Sequence, residues 1–298
     1  MNAVAVSPQF SGRVVHGEPL SRHTSWHVGG PAETWFEPRD ANDLSTFLRG
    51  LPPGTPVHWI GLGSNVLVRD GGLRGVVIST HGTLDRLERL QETQVRGEAG
   101  VACARLAKQC VKWGLGPAEF FAGIPGTLGG ALAMNAGAFG GETWRHVLEV
   151  ETIDRAGVRR VRPASAFRVG YRSVVAPAEE WFLAARLEFE HHPQAHQDEI
   201  RALLERRRQS QPIGAWSGGS TFTNPPGDHA ARLIDTAGLK GFRVGGAAVS
   251  TKHANFFINE GEATARDLEQ LILHVQRTVE RVHGVHLEPE VRIIGEPA

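Results

Sequence analysis

Two glycine-rich segments leave the backbone unusually bare. Residues 123 to 141 read GIPGTLGGALAMNAGAFGG, with seven glycines, four alanines and no charged side chain. Residues 61 to 66 read GLGSNV and follow an apolar run. Glycine inside regular structure costs about 0.5 to 1 kcal/mol relative to alanine, so such segments are shaped for close approach of the backbone to another group. Because successive N–H groups in turns bind anions, these segments, with GGPAE at 29 to 33, predict a large phosphorylated cofactor.

Simpler explanations of the two segments fit less well. GLGSNV has Val66 where a dinucleotide fingerprint has its third glycine, and LVRDGG after it predicts a strand and a turn instead of a helix. A plain tight turn would still explain its two glycines. A flexible linker over 123 to 141 is disfavoured, because linkers are polar whereas this segment has apolar anchors such as Leu128 and Phe139.

Three polar residues in separate segments could act on a substrate, although each has an ordinary structural explanation. Arg172 follows Tyr171, the only tyrosine, and an arginine beside an aromatic residue usually lies on the surface. Ser220 lies in GGSTF, which is not the GxSxG elbow of a serine hydrolase, so a hydrolase is disfavoured. Glu290, in LEPEVRIIG, would ordinarily be a charge at the end of a strand.

The sequence gives little support for a metal site or for thiol chemistry. The fourteen histidines and two cysteines show no metal-ligand spacing, so we expect no protein-bound metal. Cys103 and Cys110 lie on a predicted helix with their Cα atoms roughly 10 Å apart, too far for a disulfide, and are expected to be core thiols. Because the chain has only four lysines, Lys240 is one of few candidates for a role that needs a lysine.

The elements that would position these residues mix short strands and helices. Patterns predict a helix that begins after Asp40, a helix around the two cysteines, and a long helix from Thr264 to Gly284. A polar connector follows residue 190 and contains a short predicted helix whose apolar face is formed by Ile200, Leu203 and Leu204. The sequence therefore predicts an α+β protein in three parts, over 1–82, 83–192 and 193–298.

The composition is that of an ordinary soluble globular protein. Of 298 residues, 41% are hydrophobic and 21% charged, with 32 basic against 32 acidic side chains. Nothing here predicts a nucleic-acid or membrane partner. The start lacks the features of a signal peptide, and no run of about 18 apolar residues occurs, so we expect a cytoplasmic protein.

Seven segments in order resemble the UDP-N-acetylenolpyruvoylglucosamine reductases, also called UDP-N-acetylmuramate dehydrogenases. They are HTSWHVGGPAE, GLGSNVLVRDGGLRGVVI, GIPGTLGGALAMNAGAFGGE, GYRSV, GGSTFTNPPGDHAARLIDTAGLKG, VSTKHANFFIN and LEPEVRIIG. The resemblance runs from about His23 to Gly295. It implies a two-part FAD-binding domain of the vanillyl-alcohol oxidase type (1–82 and 83–192), followed by an α+β substrate-binding domain (193–298) whose last strand could return to the FAD-binding part.

The resemblance also implies an activity and roles for residues. Non-covalently bound FAD, reduced by NADPH, would pass a hydride to the enolpyruvyl ether of a UDP-sugar. Ser220 would protonate the neighbouring carbon, and Arg172 and Glu290 would stabilise the negative charge that forms beside the carboxylate. Substrate contacts are implied for Tyr171, Asn224 and Lys240. FAD contacts are implied for Gly61, Leu62, Gly63, Ser64, Asn65, Gly123, Ile124, Pro125, Gly126, Gly129, Gly130, Asn135 and Gly137.

One position departs from the family pattern, and two other functions stay open. Thr223 stands where the family usually has a lysine. The 47 residues between Arg172 and Ser220 indicate the shorter, type II form. The alternatives are another FAD-dependent alcohol or sugar oxidase or dehydrogenase, and a UDP-sugar or flavin-binding protein without activity. The sequence leaves the oligomeric state open and is compatible with a monomer.

Overall fold

The computed structural model describes residues 10–194 and 197–298. Contacts divide them into two compact units, each drawn from separate stretches of the chain. The first unit comprises the described residues within Met1–Val15, Thr34–Leu62 and Gly75–Glu205; the second comprises His16–Glu33, Gly63–Arg74 and Arg206–Ala298. Residues 1–9, on which the expectation of no signal peptide depends, lie outside the described residues.

The helices and strands follow one another closely along the chain. The α-helices are α1 Ala41–Gly50, α2 Cys103–Lys112, α3 Leu128–Met134, α4 Gln197–Ser210, α5 Ala230–Thr236 and α6 Ala265–His283. Short 3₁₀ helices cover Leu20–Arg22, Glu119–Gly123, Thr143–His146 and Ala164–Ala166. The strands are β1 Arg13–Pro19, β2 Pro31–Glu37, β3 Val57–Ile60, β4 Val66–Val68, β5 Leu73–Ser79, β6 Leu87–Arg89, β7 Gln94–Glu98, β8 Leu115–Gly116, β9 Gly137–Ala138, β10 Gly141–Glu142, β11 Val147–Asp154, β12 Arg159–Pro163, β13 Arg168–Gly170, β14 Ser173–Val175, β15 Glu180–Glu188, β16 Glu190–His191, β17 Trp216–Ser220, β18 Arg243–Val244, β19 Ala247–Val249, β20 Phe256–Asn259 and β21 Arg292–Ile294.

In the first unit, a five-stranded sheet of order β12-β11-β15-β7-β6 supports the glycine-rich segment. Helix α2 contributes Cys103, Leu106 and Cys110 to the core that this segment shares. Both cysteines are buried and free, which confirms the expectation of core thiols. Burial raises the pKa of each to about 12, so they stay protonated. A four-stranded sheet of order β1-β2-β5-β3 contains the parallel pair β3 and β5.

The second unit is built around the long helix α6 and a four-stranded sheet of order β17-β20-β19-β18. The predicted ends of α6 are confirmed, since Thr264 and Asp267 form a capping box and Gly284 ends the helix with a φ of 67°. Asp70 adds a second cap, because its carboxylate accepts from the N–H groups of Ala265 and Arg266 at 3.0 Å each.

Helix α3 lies inside the glycine-rich segment, where the sequence predicts no helix. Glycine is a poor helix former, and two of the seven helical positions are glycine. Bonds from outside the helix hold its first turn: Leu128 N–H donates to Val101 O at 2.8 Å and Gly129 N–H to Ala99 O at 2.8 Å. Tertiary hydrogen bonds therefore outweigh the local propensity.

The predicted parts are continuous stretches of the chain, whereas each of the two units combines three separate stretches. The last strand, β21, pairs in parallel with β4, which lies within 1–82, and both belong to the second unit. The division into 1–82, 83–192 and 193–298 stays a prediction. None of the helices in the described ranges combines the length and the apolar composition that crossing a bilayer requires.

Candidate active site

In the first unit, Gly61 contacts the glycine-rich segment 123–141. A Cβ atom on Gly61 would overlap the hydroxyl of Thr127, so only glycine fits there. Thr127 Oγ1 is buried and has no hydrogen-bond partner among the described residues. A buried polar atom left unsatisfied costs about 1 to 3 kcal/mol, so this hydroxyl fits a site that is completed by a polar ligand such as FAD.

The glycines of 123 to 141 have more than one physical reason. A Cβ atom would overlap the Phe139 ring at Gly123 and the Gly141 carbonyl at Gly137, and at Gly129 it would lie 2.9 Å from the Ala99 methyl. At these positions the close neighbour is the protein itself. Gly130 is exposed, with nothing closer to its Cβ position than Thr127 Oγ1 at 3.8 Å, and therefore presents open backbone. Ile124 is buried, while Pro125 is exposed and Gly126 is half-buried.

The end of α3 anchors the hairpin that carries Arg172. Asn135 ends the helix in the left-handed conformation, and its Nδ2 donates to Gly170 O at 3.0 Å. Arg172 lies in the turn between β13 and β14 and donates from Nη2 to Gly137 O at 2.9 Å and from Nη1 to Asn135 O at 3.3 Å. The structure thus brings Arg172, for which the resemblance implies charge stabilisation, into contact with Asn135 and Gly137, for which it implies FAD contacts. Tyr171 is 53% exposed, and its ring centroid lies 5.2 Å from Arg172 Cζ.

In the second unit, Ser220 and Glu290 lie on paired segments. Ser220 ends β17, and the next residue, Thr221, accepts the N–H of Glu290 at 2.8 Å through its carbonyl oxygen. Phe222 then forms an antiparallel bridge with Pro289. Two residues that are 70 positions apart in the sequence are therefore held close by a short backbone ladder.

Asn65 joins the same ladder. Its Nδ2 donates to Glu290 O at 3.1 Å, and its carbonyl oxygen accepts from Arg292 N–H at 3.0 Å. Gly63, two residues earlier, has a φ of 65° and packs so tightly on His23 O that a Cβ atom would overlap it. Gly63, Ser64 and Asn65 belong to the second unit, whereas Gly61 and Leu62 belong to the first.

Two residues that sequence reasoning missed hold Ser220 in place. Gly218 lies against Trp26, where a Cβ atom would come within 2.6 Å of the indole ring. Asn255 bridges the strand after Ser220, because its Oδ1 accepts from Phe222 N–H at 3.0 Å and its Nδ2 donates to Phe222 O at 2.8 Å. Gly218 begins the motif GGSTFTNPPGDHAARLIDTAGLKG and Asn255 lies inside VSTKHANFFIN, but their types alone give no functional signal.

The predicted substrate contacts Asn224 and Lys240 lie at the two ends of α5. Asn224 Oδ1 accepts from Ala230 N–H at 3.1 Å, and Lys240 Nζ donates to Asp235 at 2.6 Å. Both are exposed and make local bonds. Thr223, at the family's lysine position, donates from its N–H and its hydroxyl to Glu288 O at 2.9 and 3.3 Å.

His253, in VSTKHANFFIN, is a further titratable group that sequence reasoning did not select. Burial lowers its pKa from the usual value, and the positive charge of Lys240 lowers it further. Its imidazole packs edge-on against Phe256, the residue opposite Ser220 across the β17–β20 pair. The imidazole is therefore held in its neutral form near the Ser220 strand.

Comparison with known proteins gives a single result across the chain. Residues 32–161 match a family model described as FAD binding domain, and residues 211–294 match one described as UDP-N-acetylenolpyruvoylglucosamine reductase, C-terminal domain. The predicted α+β chain, with an FAD-binding part followed by a C-terminal domain, is therefore confirmed.

Relatives and a solved structure agree with these matches. UDP-N-acetylenolpyruvoylglucosamine reductases from Alkalilimnicola ehrlichii and Methylococcus capsulatus are 60% and 54% identical and cover 96% and 99% of the chain, respectively, with 96% and 97% of their own lengths aligned. The crystal structure of UDP-N-acetylenolpyruvylglucosamine reductase from Thermus caldophilus is 31% identical, with a TM-score of 0.81 over 95% of this chain and 98% of that one. This chain belongs to the UDP-N-acetylenolpyruvoylglucosamine reductase family.

Proposed function

We propose that the chain is the NADPH-dependent FAD reductase that converts UDP-N-acetyl-3-O-(1-carboxyvinyl)-glucosamine to UDP-N-acetylmuramate. The observation that carries the proposal is the pairing of the Ser220 and Glu290 segments in the second unit, beside Asn65. An acid, a hydroxyl and an amide held on one rigid ladder suit the protonation of a carbon next to a carboxylate. We further propose a cytoplasmic enzyme whose partners are the UDP-sugar and NADPH, without nucleic acid or membrane.

When bound, FAD would supply the redox chemistry, which is hydride transfer from NADPH to the terminal carbon of the enolpyruvyl group. The residues proposed to hold it are the two bare segments, including the Gly61–Thr127 contact and the open backbone at Gly130. The unsatisfied Thr127 hydroxyl supports this assignment. These backbone groups would orient the flavin without a covalent bond.

Residues of the chain are proposed to stabilise the negative charge that forms on the substrate and to supply the proton. Hydride arrival leaves negative charge on the carbon next to the carboxylate. Arg172, whose guanidinium plane is oriented by the carbonyls of Asn135 and Gly137, is proposed to stabilise that charge. Glu290 is proposed to hydrogen-bond to the carboxylate, and the Ser220 hydroxyl to give its proton to the carbon. A carbanionic centre is a strong enough base to take a proton from an alcohol.

Separate measurement of the two half-reactions tests the role of Ser220. In Ser220→Ala, NADPH should reduce the flavin at close to the normal rate, because that step needs no proton from Ser220. Reoxidation by the UDP-sugar should slow by about 10²- to 10⁴-fold, the usual contribution of general acid catalysis. Stopped-flow absorbance of the flavin reads both steps on one sample.

Two further variants complete that experiment. Ser220→Cys, which keeps an ionisable hydrogen, should retain more of the second step than the alanine variant. Ser217→Ala, on the same strand but before its irregular register, is the matched control and should leave both steps unchanged. Equal slowing of both steps in Ser220→Ala would make Ser220 a structural residue and contradict its role as the acid.

A further inference from the structure

An acidic and a histidine side chain face each other in the first unit, away from the residues proposed for catalysis. Glu119 Oε1 and His192 Nδ1 lie 3.6 Å apart. Both atoms are buried, and neither has a hydrogen-bond partner among the described residues. A separation of 3.6 Å is too long for a good hydrogen bond.

The burial of Glu119 makes this arrangement costly without a further partner. Glu119 is only 7% exposed, and acidic side chains are almost never so buried unless they are paired or coordinate a metal. Gly116 lies beneath the two atoms: a Cβ there would come within 3.1 Å of His192 Nδ1 and 3.3 Å of Glu119 Oε1. The missing side chain thus leaves space against both atoms.

A third ligand-competent group comes from α4. One carboxylate oxygen of Glu199, one of Glu119 and a ring nitrogen of His192 all lie within 4.8 Å of one another. Two ligands of a tetrahedral zinc ion lie about 3.3 Å apart when its bonds are about 2.0 to 2.1 Å. The Glu119–His192 distance is already close to that value, and the exposed Glu199 side chain can approach by rotation.

Each of the three groups lies on a helix or directly after a strand. Glu119 begins the 3₁₀ helix Glu119–Gly123, which leads directly into the glycine-rich segment. His192 follows β16, and its N–H donates to Gly114 O at 2.8 Å. Glu199 precedes Ile200, which is 2% exposed and part of the first unit's core. The site would therefore fasten three separate segments to one point.

We propose that Glu119, His192 and Glu199 form a binding site for a divalent transition-metal ion of the zinc class, with a structural role in the first unit. One imidazole nitrogen and two carboxylates suit zinc better than magnesium, which prefers oxygen ligands only. Sequence spacing gives no signal for such a site, because the ligands come from positions 119, 192 and 199 on three different elements. The site lies outside the proposed catalytic residues and is independent of the proposed function.

Zinc titration of the FAD-loaded, untagged protein tests the proposal. After treatment with a chelator and desalting, the protein should bind one equivalent of ZnCl₂ in calorimetry, and Mg²⁺ should not compete. Zinc should also raise the thermal unfolding midpoint, because a ligand that binds only the folded state stabilises it. His192→Gln and Glu199→Gln alter exposed or half-exposed side chains and should weaken zinc binding by at least about tenfold.

The adjacent histidine provides a matched control. His191 also pairs with a carboxylate, Glu92 at 3.0 Å, but lies outside the cluster, so His191→Gln should bind zinc as the parent protein does. The proposal is overturned if the parent protein takes up no zinc, if Mg²⁺ binds equally well, or if the two ligand variants bind as tightly as the His191→Gln control. Each readout is metal binding or stability, so no outcome depends on catalysis.

Discussion

Arg172 has a backbone conformation that is unfavourable for a residue with a side chain. It has a φ of 51°, in the left-handed region that few non-glycine residues adopt. Bonds to Asn135 O and Gly137 O offset this cost and orient the guanidinium. The contacts make Arg172 part of the glycine-rich segment's structure as well as a candidate for catalysis.

The planar guanidinium is the basis of a first prediction. Arg172→Lys keeps the charge but replaces a planar fork with a single nitrogen, which suits neither the two carbonyls nor a carboxylate. We expect turnover of the enolpyruvyl substrate to fall by about 10²-fold, with the FAD content unchanged. Steady-state kinetics and flavin absorbance measure both. Arg168→Lys in the same hairpin is the control, and near-normal turnover in Arg172→Lys would exclude Arg172 from the reacting carboxylate.

Glu180 is a second residue whose environment sets its charge. Hydrogen bonds from Arg162, at 2.6 Å from Nε, lower its pKa below the ordinary 4.5, and Thr152 Oγ1 adds a bond at 2.9 Å. Only 7% of its side chain is exposed. A lowered pKa means that the charged form stabilises the fold above pH 4.5, and that this contribution disappears as the pH falls through the folded-state pKa.

Glu180→Gln should therefore be less stable at neutral pH by about 1 to 2 kcal/mol. The gap in unfolding midpoint between the variant and the parent should shrink as the pH falls below 4.5 and through the lowered pKa of the folded protein, where the parent carboxylate also becomes neutral. Thermal melts at pH 7 and at successively lower pH measure it, with the exposed neighbour Glu179→Gln as control. A gap that is constant with pH would contradict the charge argument.

Among the elements, α3 is the one that positions most of the first unit's candidate site. Asn135, which caps its C-terminus, joins three neighbours: the Arg172 hairpin through Gly170 O, the Trp144 N–H at 3.1 Å, and Glu142 at 3.4 Å. Asn135 is 2% exposed and has a φ of 47°. Both its side chain and its left-handed backbone are therefore required.

Two substitutions separate those requirements. Asn135→Gly removes the side-chain bonds and also the Cβ, which relieves strain in the left-handed backbone, whereas Asn135→Ala removes the bonds but keeps the Cβ. We expect both to weaken FAD binding, because the hairpin loses its anchor, and expect the alanine variant to be less stable than the glycine variant by about 1 to 2 kcal/mol. Flavin titration and thermal unfolding measure the two effects. Equal stability of the two variants would show that the backbone conformation carries no cost.

Elements with strong periodicity could be predicted from sequence, and elements held by distant contacts could not. Helices α1, α2 and α6 begin and end close to where their caps and apolar stripes place them, as at Asp40, which accepts from Asn42 and Asp43 N–H. Helix α3 depends on Val101 O and Ala99 O. In the polar connector, Ile200 is buried as expected, but Leu204 is 37% exposed, because α4 presents a narrower apolar face than the pattern predicts.

The candidate site residues likewise depend on distant contacts that the sequence could not predict. The family roles of Ser220, Arg172 and Glu290 come from the resemblance, since none of the three stands out by type or spacing. What fixes their positions is long-range: the Thr221–Glu290 ladder, Asn65 on Glu290 O, and Asn135 under the hairpin. Such partners lie up to 225 positions apart, so no local pattern could have revealed them.

On the scale of the whole molecule, neither unit is a continuous stretch of chain. The core of the second unit combines Trp26, Val28 and Leu67 with residues of α5, α6 and β19. Trp26 is fully buried, and its indole N–H donates to Phe257 O at 2.8 Å. Arg69 pairs with Glu269 of α6 at 2.7 Å. The segments 16–33 and 63–74 are thus structural parts of a unit that is mostly C-terminal.

A fragment of residues 206–298 should therefore not fold by itself. It would lack Trp26 and Leu67 from its core and Asp70 from the start of α6, and each loss of a large buried side chain costs about 2 to 5 kcal/mol. We expect no cooperative thermal transition by circular dichroism and poor amide dispersion by NMR, with the full chain as control. A sharp transition in the fragment would show that the C-terminal residues suffice.

Because the second unit is built from early and late stretches of the chain, its core cannot form until most of the chain has been translated. Leu67 leaves the ribosome about 140 residues, and Trp26 about 180 residues, ahead of the segment Arg206–Ala298, which supplies most of their core neighbours. At about 5 to 20 residues per second, translation of the intervening chain takes roughly 7 to 36 seconds. For that interval the nascent chain carries an indole and branched apolar side chains whose native neighbours are not yet made. Early apolar segments of this kind are natural targets for ribosome-associated chaperones until translation nears the C-terminus.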